Sequence, residues 1–519
     1  MQDDQLAWDT STRIKDAWVR KIRNSLREIG SFALKQLNVQ TTGGDIKVPP
    51  QGAFHATVGI IIDGGGELII RIPKPAWAMF PEEKTPIEAA TMQFIKAKTS
   101  VPVPKVFDWG TREQGPCNFG PFIIMERIGS EKCFHEVLQD HSREKGTGHK
   151  LDPDLPDETL RKSYSQLAGI LVELSKPTAE RIGSLVKVGD EWEVKHRPLT
   201  CDLNDLVHLG GLPRAKAESE TFSSSTSFFQ FLAHLHLEHL IHQRNDAIKD
   251  AEDCRRKYVA RKLFIKLAEE DKLSWPDSST FRLWNDDLRP HNVLTDDELN
   301  VKAVIDWDFT YFAPPEYTYS PPWWLLLDVP ELWDNGVEDW TAHYEGKLEI
   351  FLDELQKVED DGIANGQLEH SQRLSERMRK CWEDGDFWVF YAARKSFAFD
   401  TIFWYKICPR FFGFGADEWQ KGVELLGNEL KGMEEVVEKK VKEMETRELV
   451  WDYDGPDLDE PVEEEKDDAV SRAEYDALRK EHDDLKQEHD VLKARVERLF
   501  GHLGLEDPDE QSGSKTAEP

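Results

Sequence analysis

The sequence predicts an α+β fold in two lobes. The first is a smaller lobe built on an antiparallel sheet with one helix. The second is larger and mainly helical, and a C-terminal coiled coil follows it. Three observations carry this. Two short apolar runs, Thr57 to Ile62 and Leu68 to Ile72, flank the turn Gly64-Gly65-Gly66. A long helical stretch is then interrupted by the polar loop Asn285-Asp286-Asp287-Leu288-Arg289-Pro290-His291-Asn292, with Val304-Ile305-Asp306-Trp307 close behind. Finally, Leu478, Leu485, Leu492 and Leu499 recur every seven residues, the period of helices that wind round one another.

Taken in order, the first 30 residues are charged and amphipathic, with no apolar stretch of the signal-peptide kind. The two apolar runs and their glycine turn read as strand, hairpin and strand. Gly52 and Phe54 sit at the start of that hairpin, where backbone amides can lie over phosphates. Arg71 ends the second strand, and Glu88 falls in the next apolar-periodic segment, Pro86 to Ile95. Prolines at 102 and 104 exclude helix from the connector Val101 to Val106. Gly120 to Glu126 is a buried strand. Asp157 to Lys176 has helical spacing and is stopped by Pro177; Ile182 to Val186 returns to strand; the Ser/Thr-rich residues 213 to 228 read as loop. His234, His236, His239 and His242 lie in the amphipathic helix Phe228 to Arg244, but their spacing is not that of a zinc helix.

The spacing D-x-x-x-x-N followed by an Asp after an apolar strand, here Asp287, Asn292 and Asp306, is the layout of a phosphoryl-transfer site. That chemistry asks for alignment and charge neutralisation rather than covalent work. Asp287 is the candidate catalytic base for a hydroxyl. Asn292 offers an amide oxygen and Asp306 a carboxylate, the hard donors that magnesium prefers. Val293-Leu294 and Val301 to Ile305 read as a strand pair that carries Asn292 at its start and Asp306 at its end. Arg71 and Glu88 then take the places of the strand cation and helix carboxylate that fix ATP's phosphates, with Lys74 as a substitute cation. An Arg is permanently charged and bulkier than the usual Lys.

These motifs resemble the aminoglycoside phosphotransferase and choline kinase-like family, whose loop reads H-G-D-x-x-x-x-N followed by I-D-W/F. Val304 to Tyr311, Ala313-Pro314-Pro315, Pro321 to Leu326 and a late helical run, Tyr391 to Asp400, look like its fungal branch. The resemblance spans about residues 30 to 430. It implies a bilobal protein kinase-like fold, ATP and Mg2+ as co-substrate and cofactor, and a small-molecule hydroxyl acceptor. It places adenine against the backbone of Glu126 to Ile128. The family's loop His falls on Asn285. Asn285 and Arg71 favour an alternative, a pseudokinase or nucleotide-binding scaffold that oligomerises through its coiled coil. No A-P-E segment of the peptide-kinase kind follows Asp306.

The predicted organisation is a helical extension over 1–30, a kinase-like N-lobe over 31–127 and a helical C-lobe over 128–450. An acidic linker over 451–470, a coiled coil over 471–503 and a disordered tail over 504–519 complete it. With the leucines at d, Tyr475, His482, His489 and Val496 take a. The flanking pairs Glu474 with Arg479, Glu481 with Lys486 and Glu488 with Lys493 then suit a parallel homodimer.

Composition bounds the partners. Hydrophobic residues make up 39% of the 519-residue chain, with 17 Trp and 26 Phe, enough for two lobes and an appendage. A net charge of −33 argues against nucleic-acid and anionic-membrane partners and favours a cationic substrate. Six Cys without a C-x-x-C pair imply free thiols in a reducing compartment. No stretch reaches the apolar length of a bilayer span, so a cytoplasmic location is expected.

Overall fold

The computed structural model describes residues 1–39, 44–47, 52–62, 66–129, 132–143, 149–217, 219–275 and 280–451. All of them lie in the first of two compact units, Met1–Asp457. The heptad segment and residues 64 and 65 of the hairpin turn lie outside the described residues.

Two helices come first, α1 (Gln5–Asn24) and α2 (Leu26–Gln36). Asp4 caps α1, its carboxylate accepting from the Ala7 amide, which satisfies a donor the helix end would otherwise orphan. A five-stranded antiparallel sheet follows: β1 (Gly44–Lys47), β2 (His55–Ile62), β3 (Gly66–Pro73), β4 (Val106–Gly110) and β5 (Phe122–Glu126), in the order β1-β2-β3-β5-β4. Helix α3 (Pro81–Lys98) joins β3 to β4.

Strand alternation divides this sheet's faces. Val58, Ile60, Ile70 and Ile72 point to one side, where Trp18 and Ile22 of α1 and Ile29 and Ala33 of α2 cover them. The first helices are therefore part of the small lobe's core. Arg71, between Ile70 and Ile72, points to the opposite side, towards α3 and the cleft. Helix α1 also touches the large lobe: the Asp4 amide donates to the Leu209 carbonyl at 3.1 Å, and Ser11 pairs with His208 at 2.8 Å.

The large lobe begins with β6 (Lys132–Cys133), α4 (Phe134–Leu138) and α5 (Asp157–Ser175), then β7 (Thr178–Ala179), β8 (Ser184–Val188) and β9 (Glu191–His196). Helices α6 (Cys201–Leu209), α7 (Arg214–Ala217), α8 (Ser225–His242) and α9 (Ala251–Glu269) follow. Three short antiparallel sheets are set among the helices. Two of them are built with β10 (Phe281–Asn285), β11 (Val293–Thr295), β12 (Val301–Val304) and β13 (Thr310–Ala313), in the orders β13-β10-β7 and β12-β11-β6, and the third is the β8–β9 pair. In the hairpin β11–β12, Val293 lies opposite Val304. Helix α10 (Pro315–Thr318) and the 29-residue α11 (Gly336–Ala364) lead into the C-terminal helices.

Three expectations need correction. Residues 213 to 228 are not a single loop: α7 and the start of α8 lie within them. The serines there are helix-start chemistry, since the Ser224 hydroxyl accepts from the Ser227 amide. Helix α3 begins at Pro81 rather than Pro86, with a proline at its first turn where the missing N–H costs nothing. The run Tyr391 to Asp400 is broken: one helix ends at Ala393 and the next begins at Phe399.

Three of the four histidines of α8 have partners inside the fold, and His234 is exposed. His236 and His239 are buried, paired with Ser396 and Gln243 respectively, and His242 pairs with Glu238. All six cysteines are free. Among the described residues no helix is long and apolar enough to cross a membrane.

Candidate active site

The hairpin β11–β12 brings the loop residues together. The Ile305 amide donates to the Asn292 carbonyl at 2.9 Å, which sets Asn292 beside the start of the Asp306 loop. The Asn292 amide nitrogen donates to the backbone carbonyl of Asp287 at 2.8 Å and to its carboxylate at 3.1 Å. That spends the nitrogen and leaves the amide oxygen as Asn292's ligand atom. Arg289 lies 2.9 Å from the other carboxylate oxygen of Asp287. Burial pushes the Asp287 carboxyl up and Asp306 adds to this, while Arg289 and Lys395 pull the other way.

Asn285, at the position of the family's His, braces both acidic loops. Its amide nitrogen donates to the Asp306 and Asp308 carbonyls, at 3.3 and 3.2 Å, and to the Thr310 hydroxyl at 2.8 Å. Its oxygen accepts from the Asp287 amide at 2.7 Å. Asp306 takes a left-handed backbone conformation, φ 63°, sparsely populated for a residue with a Cβ. The buried ring of Trp307 anchors the same loop, its N–H donating to the Val304 carbonyl at 2.9 Å.

Arg71 is the centre of a buried ionic cluster. One end of its guanidinium donates to Glu88 of α3 at 2.7 Å; the other donates to Asp306 at 2.7 Å and to His55 Nδ1 at 2.8 Å. Because Nδ1 accepts, His55 is neutral. Burial, with Arg71 and Lys84 beside it, holds its pKa well below the usual value. For Asp306, burial acts upward but Arg71, Lys84 and Arg289 outweigh it, and the carboxyl lies below its ordinary range.

Three residues of this cluster escape a linear reading: His55, Lys84 and Asp308. Lys84 forms an ion pair with Asp308 at 2.6 Å, both sealed from solvent. Two local signals pointed there. Lys84 precedes Glu88 by four residues on one helix face, and Asp308 follows Asp306 by two.

Other expected residues fall differently. Lys74 does not face Glu88; its ammonium donates to the Gly52 carbonyl at 2.6 Å, and burial lowers its pKa to about 8. Phe54 packs edge-on against Phe309 at 5.3 Å between centroids. The Glu126 amide already donates to the Lys105 carbonyl at 2.9 Å, so it is not open to a base. Trp323 and Trp324 pack against the helical core, with Trp324 buried.

A cavity of about 340 Å³ lies between α1, α6 and the segment that carries Lys395. Its walls include Trp8 and Trp77, whose rings meet at 5.2 Å, and the carboxylates of Asp3, Asp205 and Glu331. Lys395, which bears on Asp287, lines it too. Helix α6, which carries Asp205, is tied to the loop by the Cys201 amide, donating to Asp286 at 3.0 Å. Burial raises Asp205 to about 7.

A family model described as "Phosphotransferase enzyme family" matches residues 45–355. A subtelomeric hrmA-associated cluster protein of Aspergillus fumigatus is 36% identical over 87 residues, 17% of either chain. Among solved structures, a macrolide 2'-phosphotransferase type I is similar at 14% identity, covering 71% of this chain and 90% of that one, with a TM-score of 0.37. An ethanolamine kinase of Plasmodium vivax is similar at 10% identity, covering 79% and 84%, with a TM-score of 0.36. A choline kinase of Cryptosporidium parvum Iowa II is similar at 11% identity, covering 81% and 98%, with a TM-score of 0.34.

Proposed function

The chain belongs to the phosphotransferase enzyme family, and on that premise we propose that it transfers the γ-phosphate of ATP, with magnesium, to a hydroxyl of a small molecule. One observation carries the reading. Asp287, Asn292 and Asp306 converge at one end of the β11–β12 hairpin, with Asn292 bonded to Asp287 and to the strand leading into Asp306.

In this reading the Asp287 carboxylate orients the acceptor hydroxyl and takes its proton. The acceptor oxygen bonds to the γ-phosphorus as the bridge to the β-phosphate breaks, and ADP leaves. Asn292 and Asp306 would hold magnesium, and both are oxygen donors that fit it. Bound magnesium supplies neutralisation of phosphate charge. Arg71 fixes the phosphates once it leaves Asp306, and Glu88 holds the guanidinium in place. The fixed dipoles and charges around these groups exclude the need for costly rearrangement during transfer.

The cavity lined by Lys395, whose charge acts on Asp287, supports a cationic, amine-bearing acceptor. Its carboxylates, Asp3, Asp202, Asp205 and Glu331, outnumber Lys395, and a bound ammonium favours their charged forms.

A second reading is favoured by the Arg71–Asp306 ion pair, which occupies an expected metal ligand. A nucleotide-binding scaffold without turnover is that reading. Thermal melting tests the nucleotide site. The proposal expects millimolar ATP to raise the melting temperature only with magnesium, and Asp306→Ala to abolish the rise. Equal stabilisation of the Ala variant would remove Asp306 from the site. ATP consumption separates turnover from mere binding.

A further inference from the structure

The buried cluster between the lobes contains two cation–carboxylate bridges, and they differ in access. Arg71 of β3 meets Asp306, whose side chain is 27% exposed to the cleft. Lys84 of α3 meets Asp308, and each of those side chains is only 2% exposed. The Lys84 ammonium lies 4.7 Å from the ring centres of both Phe54 and Phe309. Those rings pack against the ammonium, which is sealed from the solvent of the cleft.

We propose that Lys84 is a positioning residue that neutralises Asp308, so that Arg71 is free to pass from Asp306 to the phosphates of ATP when magnesium takes Asp306. This rests on the phosphotransferase reading above.

The charges make the case. Arg71 and Lys84 face Glu88, Asp306 and Asp308, while His55 is neutral. Arg71 also stands 4.0 Å from the Asp308 carboxylate. In water-poor surroundings an uncompensated carboxylate at that distance competes strongly for a guanidinium. Lys84 satisfies Asp308 from the far side and removes that competitor. Asp306 is then the loop carboxylate that Arg71 hydrogen-bonds, and it is also the more exposed of the two. His55 Nδ1 also lies 3.4 Å from Asp308, but it accepts from Arg71 and so has no proton to donate there. His55, Glu88 and Asp308 converge closely enough to suggest a metal site of their own, but Arg71 and Lys84 already supply the positive charge there.

The test is the MgATP dissociation constant of the full chain, measured by calorimetry on variants shown by melting to be folded. Lys84→Met leaves Asp308 to capture Arg71, and the expected result is about tenfold weaker MgATP binding, about 1.4 kcal/mol. Lys84→Met with Asp308→Asn removes both charges together, a change that buried pairs tolerate. Its expected affinity is within about threefold of wild type. Wild-type affinity in Lys84→Met would overturn the proposal. So would a folded double variant that stays tenfold weak, since that result belongs to a lysine that touches phosphate or only props the lobe. The double variant decides the matter even if the single one fails to fold. Absence of MgATP binding by wild type would refute the phosphotransferase reading itself, and this inference with it.

Discussion

Removing Arg71 should destabilise the protein in a pH-dependent way, and the size follows from what the guanidinium touches. Arg71→Met leaves Glu88, 1% exposed, without its 2.7 Å partner. It also strips the donor from His55 and from Asp306. Breaking one side of a buried pair costs about 3–5 kcal/mol, because the other charge stays buried and uncompensated. Lys84 lessens this through its own pull on Glu88, so the lower end of that range is expected at neutral pH. The pH dependence has a definite sign. Burial already raises the Glu88 carboxyl in the wild type, against the pull of Arg71. Without Arg71 it rises further, and the folded variant holds its proton over a wider range than the unfolded chain. Stability gained from that proton is present at low pH and lost as pH rises through the folded-state pKa. The deficit of Arg71→Met should therefore grow as pH rises above the wild type's own folded-state pKa for Glu88. Urea denaturation across a pH series measures it. Adding Glu88→Gln should recover most of the loss. A deficit below about 1 kcal/mol, the scale of an exposed pair, or one that does not change with pH, would refute the buried-cluster account.

Further outcomes follow from the same geometry. Because burial and Asp306 raise Asp287, the base is lost by protonation at a higher pH than an ordinary carboxylate, and kcat/KM should fall off on the acid side above the usual carboxylate range. A profile flat down to pH 4 would exclude Asp287 as the group that titrates. Asp205→Asn should weaken binding of an amino-alcohol or amino-sugar acceptor but leave MgATP affinity unchanged, as two calorimetric titrations would reveal. Deleting residues 471–503 should halve the mass seen by light scattering if the heptads pair as a parallel dimer. If they do pair so, acidification that charges His482 and His489 should push the same equilibrium towards monomer.

The legible part of the site was the part set by local chain geometry. Asp287, Asn292 and Asp306 lie within one loop and hairpin, so their spacing alone brings them near each other. Arg71 and Glu88 were legible from element order, a strand followed by a helix. Lys84, Asp308 and His55 were not, because their meeting depends on how α3, β2 and the Asp306 loop pack across the lobes. The amphipathic pattern of the first 30 residues revealed helix but not which surface it covers, since periodicity carries no information about the partner. Trp18 and Ile22 complete the sheet's core, and Trp8 of the same helix walls the cavity. Serine content misled at 213 to 228, where the residues that favour turns were acting as helix caps.

Transfer of phosphate from ATP tests the central claim most directly. Wild type and Asp287→Asn should be compared for magnesium-dependent ADP formation, with phosphorylated acceptor sought by mass spectrometry across a panel of amine-bearing alcohols. The account predicts turnover by wild type and a loss of about a hundredfold or more in the variant, with MgATP binding retained. Equal rates in the two proteins would contradict it. So would a wild type that binds MgATP and transfers phosphate to nothing, which would leave the nucleotide-binding scaffold as the better description.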